Sequence, residues 1–241
     1  DQLIEIDALP PEDGMWTWAL DLQTWQASLV PATRVFLPPD YQVRGLGVGM
    51  SWEEAVCQAL LDWCNYITIE NLKSTQRVYL PVDLDKMPMT PEGAYLYRLL
   101  KATGESFIIY DVTGSVRVPT FAICWNGQVI SYTTHCNIAQ ALGLGFTQAL
   151  QQYQATQFQQ SDYALAPVPD LPLFLRGEQF SVPHFPSPGA WPARREWLLE
   201  QLQTNGLRAF ALPLDHDPAL VQVLPFIARV LLAKENRMKE K

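Results

Sequence analysis

Three polar side chains in the 45–66 segment are candidates for a ligand-binding face. Gln58, Asp62 and Asn65 are separated by four and three residues, so a helix would place all three on one side. They offer one carboxylate and two carboxamide oxygens to a bound polar group. The same spacing is typical of the solvent-exposed side of any helix, so both interpretations stay open.

A glycine-rich loop and the helix after it must position these side chains. Gly45, Gly47 and Gly49 alternate, and we expect them to end a loop where the backbone turns sharply or approaches another group closely. Ser51 and Glu54 form a capping box, which predicts a helix start at this point. The apolar residues that follow recur at helical spacing and predict one buried stripe; they are Ala55, Val56, Ala59, Leu60 and Trp63.

For the other potentially reactive residues, the sequence context favours a structural role over a catalytic or metal-binding one. His135 and Cys136 are adjacent in sequence, and catalytic partners normally meet through the fold rather than as neighbours. Residues 215–217 (Asp-His-Asp) could bind a metal, but a turn bounded by proline is more often a solvated loop. His184 lies in a proline-rich stretch and is predicted to be on the surface. The sequence contains no P-loop motif for phosphate binding.

The cysteines predict a reducing, cytoplasmic location. Cys57 and Cys64 are seven residues apart on one helix, roughly 10 Å, which is too far for a disulfide. No Cys-x-x-Cys pair occurs, so a zinc site is not supported and no metal ligands are assigned. Cys124 lies in a strand-like run, where a free cysteine behaves as a small apolar residue.

Composition indicates a folded chain and excludes two classes of partner. The 241 residues are 48% hydrophobic and 17% charged, which is enough apolar material for a core. The formal charge of −8 gives no basic stripe for phosphates, so nucleic acid is excluded as a partner. The apolar run from Val221 to Ala233 is interrupted by Gln222, Pro225 and Arg229, so we expect no membrane span.

Local patterns predict an α/β fold with a mixed, largely antiparallel sheet or sheets packed with helices. Strands are predicted at 14–22, 26–37, 75–84, 106–112, 117–124, 128–132, 207–214 and 219–224. Further helices are predicted at 90–104, 137–157 and 193–204. Pro31 predicts an edge strand or a bulge, and Asn126-Gly127 predicts a tight hairpin. Trp16 and Trp18 are assigned to the core, as are the inward-facing residues of the second helix, Tyr95, Leu96, Leu99 and Leu100.

These residues carry a resemblance to a known family. Gly47-Val48-Gly49, followed by Ser51-Trp-Glu-Glu-Ala55 and Ala59-Leu60, resembles the GxG, S/T-x-E-E-A and A-L-x-E segment of YcaO domains. The 137–157 helix is similar to the second nucleotide-facing helix of that family. The resemblance implies a single YcaO-like domain over residues 1–241, lacking the usual N-terminal part. A proline-rich connector over residues 166–192 would lie within it.

The resemblance also implies a nucleotide site. In the family, an ATP-dependent cyclodehydratase activates a peptide amide to make thiazolines and oxazolines, and carboxylates on the two helices hold Mg²⁺ and ATP. The equivalent positions here are Gln58, Asp62 and Asn65 on the first helix, and Gln148 and Gln151 on the second, with Gln152 in place of an arginine. One carboxylate remains of the three or four expected, so the Mg-ATP motif is degraded. Uncharged amides attract the metal much less than carboxylates do.

Three hypotheses follow. In the first, the chain is a catalytically silent scaffold or partner-binding subunit of a peptide-modification (bacteriocin-type) complex, with no cofactor. In the second, it remains an ATP-dependent cyclodehydratase that binds Mg-ATP through Asp62, the glycine-rich loop and basic residues such as Arg44, Lys73 and Arg77. In the third, it is an unrelated protein-interaction domain.

The partner expected under the family hypotheses is another protein or a precursor peptide, and a homodimer is left open. No catalytic residue is assigned. Convergence of the five polar positions on one pocket would indicate an ancestral nucleotide site.

Overall fold

The computed structural model describes residues 14–36, 44–75, 79–157, 181–185, 188–215 and 218–234. The chain forms two compact units, a first unit of residues 1–64 and 189–241 and a second unit of residues 65–188. Each unit contains an antiparallel sheet with helices, which confirms the predicted fold class. The single domain expected over residues 1–241 remains a prediction.

The elements follow one another along the chain as eight strands and six helices in the described ranges. The strands are β1 (Trp16–Asp21), β2 (Ala27–Pro31), β3 (Leu46–Gly49), β4 (Phe107–Asp111), β5 (Thr120–Trp125), β6 (Gln128–Thr134), β7 (Leu207–Pro213) and β8 (Phe226–Lys234). The helices are α1 (Ala32–Val35), α2 (Trp52–Ser74), α3 (Pro91–Ala102), α4 (Ile138–Gln157), α5 (Trp191–Thr204) and α6 (Pro218–Val221). None of these helices is both long enough and apolar enough to cross a bilayer.

The first unit is built on a five-stranded sheet in the order β2-β1-β7-β8-β3, with every pair antiparallel. Residues 228–233 of β8 are buried, and the strand pairs with β7 on one side and β3 on the other. One apolar cluster covers a face of this sheet; it contains Ala19, Val30, Val35, Phe210, Leu212, Leu231 and Ala233. β2, which ends at Pro31, is an outer strand, and this confirms the edge position predicted from proline.

The second unit contains the three-stranded sheet β4-β5-β6 and helices α3 and α4. Asn126 and Gly127 have positive φ angles of 49° and 85°, which confirms the predicted tight turn between β5 and β6. The hydroxyl oxygen of Thr90 accepts a 3.0 Å hydrogen bond from the Gly93 N–H and caps α3 as expected. α4 packs on the sheet through buried residues that include Leu142 and Phe146.

Three strand predictions were wrong in whole or in part. The strand expected at 26–37 ends at Pro31, where α1 begins. In the described part of 75–84, pairing is limited to isolated bridges at Pro81 and Val82. The strand expected at 219–224 is replaced by α6 and then by β8, which starts after Pro225. Proline in the first turn suits a helix at Pro218, and the β7–β8 register is a long-range pairing that short-range alternation does not reveal.

Three side chains assigned to the core are exposed instead. Tyr95 and Leu99 on α3 and Trp18 beside the edge strand β2 expose 55%, 39% and 65% of their surface. Helical spacing identifies the buried stripe but not its width, and the end of a sheet leaves part of one face open to solvent.

The predicted connector lies mostly outside the described residues, as do Arg77 and residues 216–217. Its expected end at 192 is incorrect because α5 begins at Trp191, with Pro192 in the first turn.

Candidate functional site

The N-terminal half of α2 lies directly against β3. The prediction that Gly47 and Gly49 belong to a loop was wrong, because both lie within strand β3. The predicted close approach is confirmed at Gly47, where a Cβ atom would lie 2.0 Å from the carbonyl oxygen of Ala55. The Ser51 cap forms as predicted, since Ser51 Oγ accepts from the Glu54 N–H at 3.1 Å, and the Glu54 carboxylate reaches back to the Met50 N–H at 2.9 Å. Strand β3 therefore sets the position of the helix that carries Gln58 and Asp62.

Gly45 joins this strand to the helix and to the neighbouring strand. Its φ of 72° lies in the left-handed region, and a Cβ there would fall 2.1 Å from Trp63 Nε1. The indole of Trp63 donates a 2.8 Å hydrogen bond to the carbonyl of Val230, whose own N–H donates to the Gly45 carbonyl at 2.7 Å. Position 45 is thus restricted to glycine by both conformation and space.

The Asp62 carboxylate is held by groups of the protein itself. Its Oδ2 atom accepts a 2.7 Å hydrogen bond from the Gly45 N–H, and its Oδ1 atom lies 3.7 Å from Nη1 of Arg44. The Asp62 and Arg44 side chains are each about 30% exposed, so solvent screens the pair in part. The single carboxylate at the predicted metal positions is therefore both hydrogen-bonded and charge-compensated.

A second cation, Arg229, interacts electrostatically with this carboxylate and was not found by sequence reasoning. Arg229, in the middle of β8, is 3% exposed, and its Nη2 donates to the Arg34 carbonyl at 3.3 Å. Its Nε and Nη1 atoms have no hydrogen-bond partner among the described residues. Burial lowers the pKa of Arg229, while the Asp62 charge acts in the opposite direction. The sequence signal was a charged residue inside an otherwise apolar run.

The second unit contains the remaining predicted positions. Asn65 uses its Oδ1 atom to accept a 3.1 Å hydrogen bond from the Thr134 hydroxyl, which lies 3.0 Å from the hydroxyl of Thr120. Gln148 on α4 is half-buried, and its Oε1 atom has no hydrogen-bond partner in the described part of the chain. Gln151 is also half-buried. Asn65 thus connects α2 to β6, and its side-chain oxygen already accepts a hydrogen bond from the protein.

The structure brings Asp62 together with Gly45 and Arg44, and it places Gln58 one turn before Asp62 on α2. Asn65, Gln148 and Gln151 belong to the second unit. The convergence of these five polar positions on one pocket remains a prediction. Of the basic residues predicted to bind nucleotide, Lys73 pairs with Glu70 at 2.5 Å on the surface of α2, and Arg77 lies outside the described residues.

The alternative reactive residues have structural roles. Nδ1 of His135 accepts a 3.0 Å hydrogen bond from the Asn137 N–H, and His184 is exposed as predicted. The four cysteines, all among the described residues, form no disulfide and are buried, as expected for Cys124. Burial raises the pKa of the Cys124 thiol to about 12. Over the described residues, no cluster of three or more His, Cys, Asp or Glu could hold a metal ion.

Comparison with known families decides the assignment. The family model for YcaO cyclodehydratase, a family described as binding ATP and Mg²⁺, matches residues 3–226. The chain belongs to the YcaO family. This result confirms the resemblance seen in the glycine-rich segment and removes the hypothesis of an unrelated domain. No curated protein matches the chain.

Solved YcaO-type structures share the fold. A YcaO protein from Methanopyrus kandleri, bound with AMPPCP and Mg²⁺, is 18% identical, with a TM-score of 0.62 and coverage of 100% of this chain and 73% of that one. The heterocyclase TruD is 16% identical, with a TM-score of 0.63 and coverage of 90% of this chain. A heterocyclase in complex with substrate and cofactor gives the same score and identity, also over 90% of this chain. The chain spans about a third of the length of these heterocyclases, 32% and 34%.

Proposed function

We propose that this YcaO-family chain is a non-catalytic scaffold or partner-binding subunit of a complex that modifies ribosomally made peptides. The observation that carries the proposal is the state of Asp62, whose carboxylate is bound to the Gly45 N–H and paired with Arg44. A Mg²⁺ ion at this position would have to share the carboxylate with the Gly45 N–H and would meet the positive charge of Arg44.

The remaining residues do not fit a Mg²⁺ ion. Magnesium requires nearly octahedral coordination by hard oxygen ligands and is usually held by carboxylates together with phosphates. Here the other equivalent positions are the amides Gln58, Asn65, Gln148 and Gln151. The Asn65 oxygen already accepts the Thr134 hydroxyl. With one compensated carboxylate, the site lacks the negative charge that attracts a divalent cation, so we derive no metal-dependent step for this chain.

A structural relative supports a role within an assembly. A chain of the E. coli microcin synthetase McbBCD complex with pro-MccB17 bound has a TM-score of 0.50 over 92% of this chain, at 9% identity. By analogy, the partner of this chain would be another subunit of such a complex or its precursor peptide, in keeping with thiazole- and oxazole-forming modification.

A second candidate function is nucleotide binding by a divergent site. The observation that favours it is Arg229, whose buried guanidinium has two nitrogen atoms without a partner among the described residues. Guanidinium groups bind phosphate through paired hydrogen bonds, and a buried one gains most from an anionic ligand. Such binding would use the two arginines, Arg44 and Arg229, in place of the lost carboxylates.

Isothermal titration of the purified chain separates the two functions. The scaffold proposal predicts no binding of ATP, with or without Mg²⁺, up to about 1 mM nucleotide. Micromolar binding that Arg229→Gln abolishes would overturn it in favour of the second function. Lys86→Gln is the matched control, because it also removes one positive charge, from a 70% exposed side chain that neither function assigns to nucleotide. Circular dichroism verifies the fold of each variant.

A further inference from the structure

The outer strand of the first unit's sheet presents an exposed apolar face. Trp18 on β1 and Leu29 on β2 are directly opposite each other in the strand register and expose 65% and 40% of their surface. Because the two side chains are cross-strand neighbours beside a sheet edge, they form one continuous apolar patch.

A cavity of about 420 Å³ adjoins this pair on the same face of the sheet. All the residues that line it are apolar, and they include Trp18, Leu20, Ala27, Trp52, Pro213 and Phe226. Cavities of this size and composition hold small apolar groups, so this one has room for one or two large apolar side chains.

The backbone of β2 shows which groups face away from the sheet. The Ala32 N–H donates to the Met15 carbonyl, and the Asp21 N–H donates to the Gln26 carbonyl, both at 2.9 Å. In an antiparallel pair, alternate residues bond the same neighbour, so the even-numbered residues of β2 bond β1. Ala27 and Leu29 then direct their N–H and C=O groups outward. Within the described residues, β2 pairs with β1 alone.

We infer that this edge binds an extended peptide, which adds to β2 as an antiparallel strand. Peptide residues opposite Ala27 and Leu29 would exchange backbone hydrogen bonds with them and place their own side chains on the face of Trp18 and the cavity. The peptide therefore carries large apolar residues at alternate positions. The formal charge of −8 favours basic residues elsewhere in it. This inference goes beyond the proposed function and does not depend on it.

To test the inference, the full chain is titrated with the peptide Lys-Val-Thr-Phe-Thr-Val-Lys, acetylated at its N-terminus and amidated at its C-terminus. Isothermal calorimetry measures the binding. N-methylation of the Val and Phe amides removes the donors directed at β2, whereas N-methylation of the Thr amides leaves them intact. We expect the first modification to abolish binding and the second to preserve it. Equal binding of both peptides, or no binding of the parent peptide at about 1 mM, would overturn the inference.

Two protein variants test the location. Trp18→Lys should weaken peptide binding at least about tenfold, whereas Leu46→Lys, at an exposed apolar site on the opposite outer strand, should leave it unchanged. Equal losses in both variants would contradict binding at β2. The unliganded chain could instead sediment as a dimer that Trp18→Lys dissociates. That result would show that the edge binds a second copy of the chain and would overturn the inference of a peptide-binding edge. If Trp18→Lys does not fold, the N-methylated peptides still decide the question.

Discussion

The backbone N–H of Gly45 and the carboxylate of Asp62 are joined by a 2.7 Å hydrogen bond. This bond connects the residue that precedes β3 to the middle of α2, 17 residues further along the chain. Arg44, next to Gly45, supplies the compensating charge to the same carboxylate. The aspartate that was predicted to lie at a metal-ligand position therefore holds its own helix to the segment before β3.

Replacement of Asp62 should destabilise the first unit. Asp62→Ala removes the acceptor of the Gly45 N–H and leaves Arg44 without this partner, so we expect the free energy of unfolding to fall by about 1–3 kcal/mol. Asp62→Asn keeps an acceptor oxygen and should cost less. Urea denaturation of both variants measures the difference, and equal stability of Asp62→Ala and the parent chain would show that the contact is not structural.

Gly47→Ala should be more damaging than a typical surface substitution. Its Cβ atom would lie 2.0 Å from the Ala55 carbonyl oxygen and 2.5 Å from the Ala59 nitrogen, so β3 and α2 would have to separate. We expect a loss of about 1–3 kcal/mol or more, as for other overpacked positions. Gly143→Ala is the control: no atom lies within 4 Å of its added Cβ, and alanine in helix α4 should stabilise the fold by up to about 1 kcal/mol. Thermal unfolding measures both variants, and a shift of the two melting temperatures in the same direction would contradict this packing.

Asp21 should make stability depend on acid pH. Burial acts to raise the pKa of this carboxyl, but hydrogen bonds from Arg208, Gln23 and Thr24 outweigh it and lower the pKa below the ordinary value of 3.8. A lowered folded-state pKa stabilises the fold above the unfolded-state pKa, and that stabilisation is lost as the pH falls through the folded-state value.

Urea denaturation between about pH 6 and pH 2 should therefore show a steeper acid loss for the parent chain than for Asp21→Asn. The variant should be the less stable of the two at pH 6. Parallel pH profiles would rule out a role for Asp21.

Cys124 should be chemically silent in the folded chain. Burial raises the pKa of its thiol to about 12, so almost no thiolate is present at pH 8. Iodoacetamide followed by peptide mass spectrometry should label Cys124 in urea but not in native buffer. Rapid native labelling would show that β5 opens locally, against the structure described for the second unit.

Local signals predicted the elements best where a few residues determine them. The Ser51–Glu54 capping box, the Thr90 cap and the Asn126-Gly127 turn each act over four residues or fewer, and all three form as expected. The strand expected at 219–224 failed for the opposite reason. The pairing partner of β8 lies in β7, and the choice between two neighbouring apolar segments depends on the register across the sheet.

The helix that carries the candidate residues was predictable, but their contacts were not. Helical spacing placed Asp62 and Asn65 on one helix, and in α2 both are half-buried. It could not show that Asp62 binds Gly45 or that Asn65 binds Thr134, because those partners are 17 and 69 residues away in sequence. Arg229 was missed since a lone cation in an apolar run carries no periodic signal.

A crystal structure of the chain grown with AMPPCP and Mg²⁺ tests the central claim most directly. The account predicts that the Asp62 carboxylate still accepts the Gly45 N–H and that no metal ion contacts it. An ordered Mg²⁺ bound to Asp62, with the phosphates in place, would contradict the account.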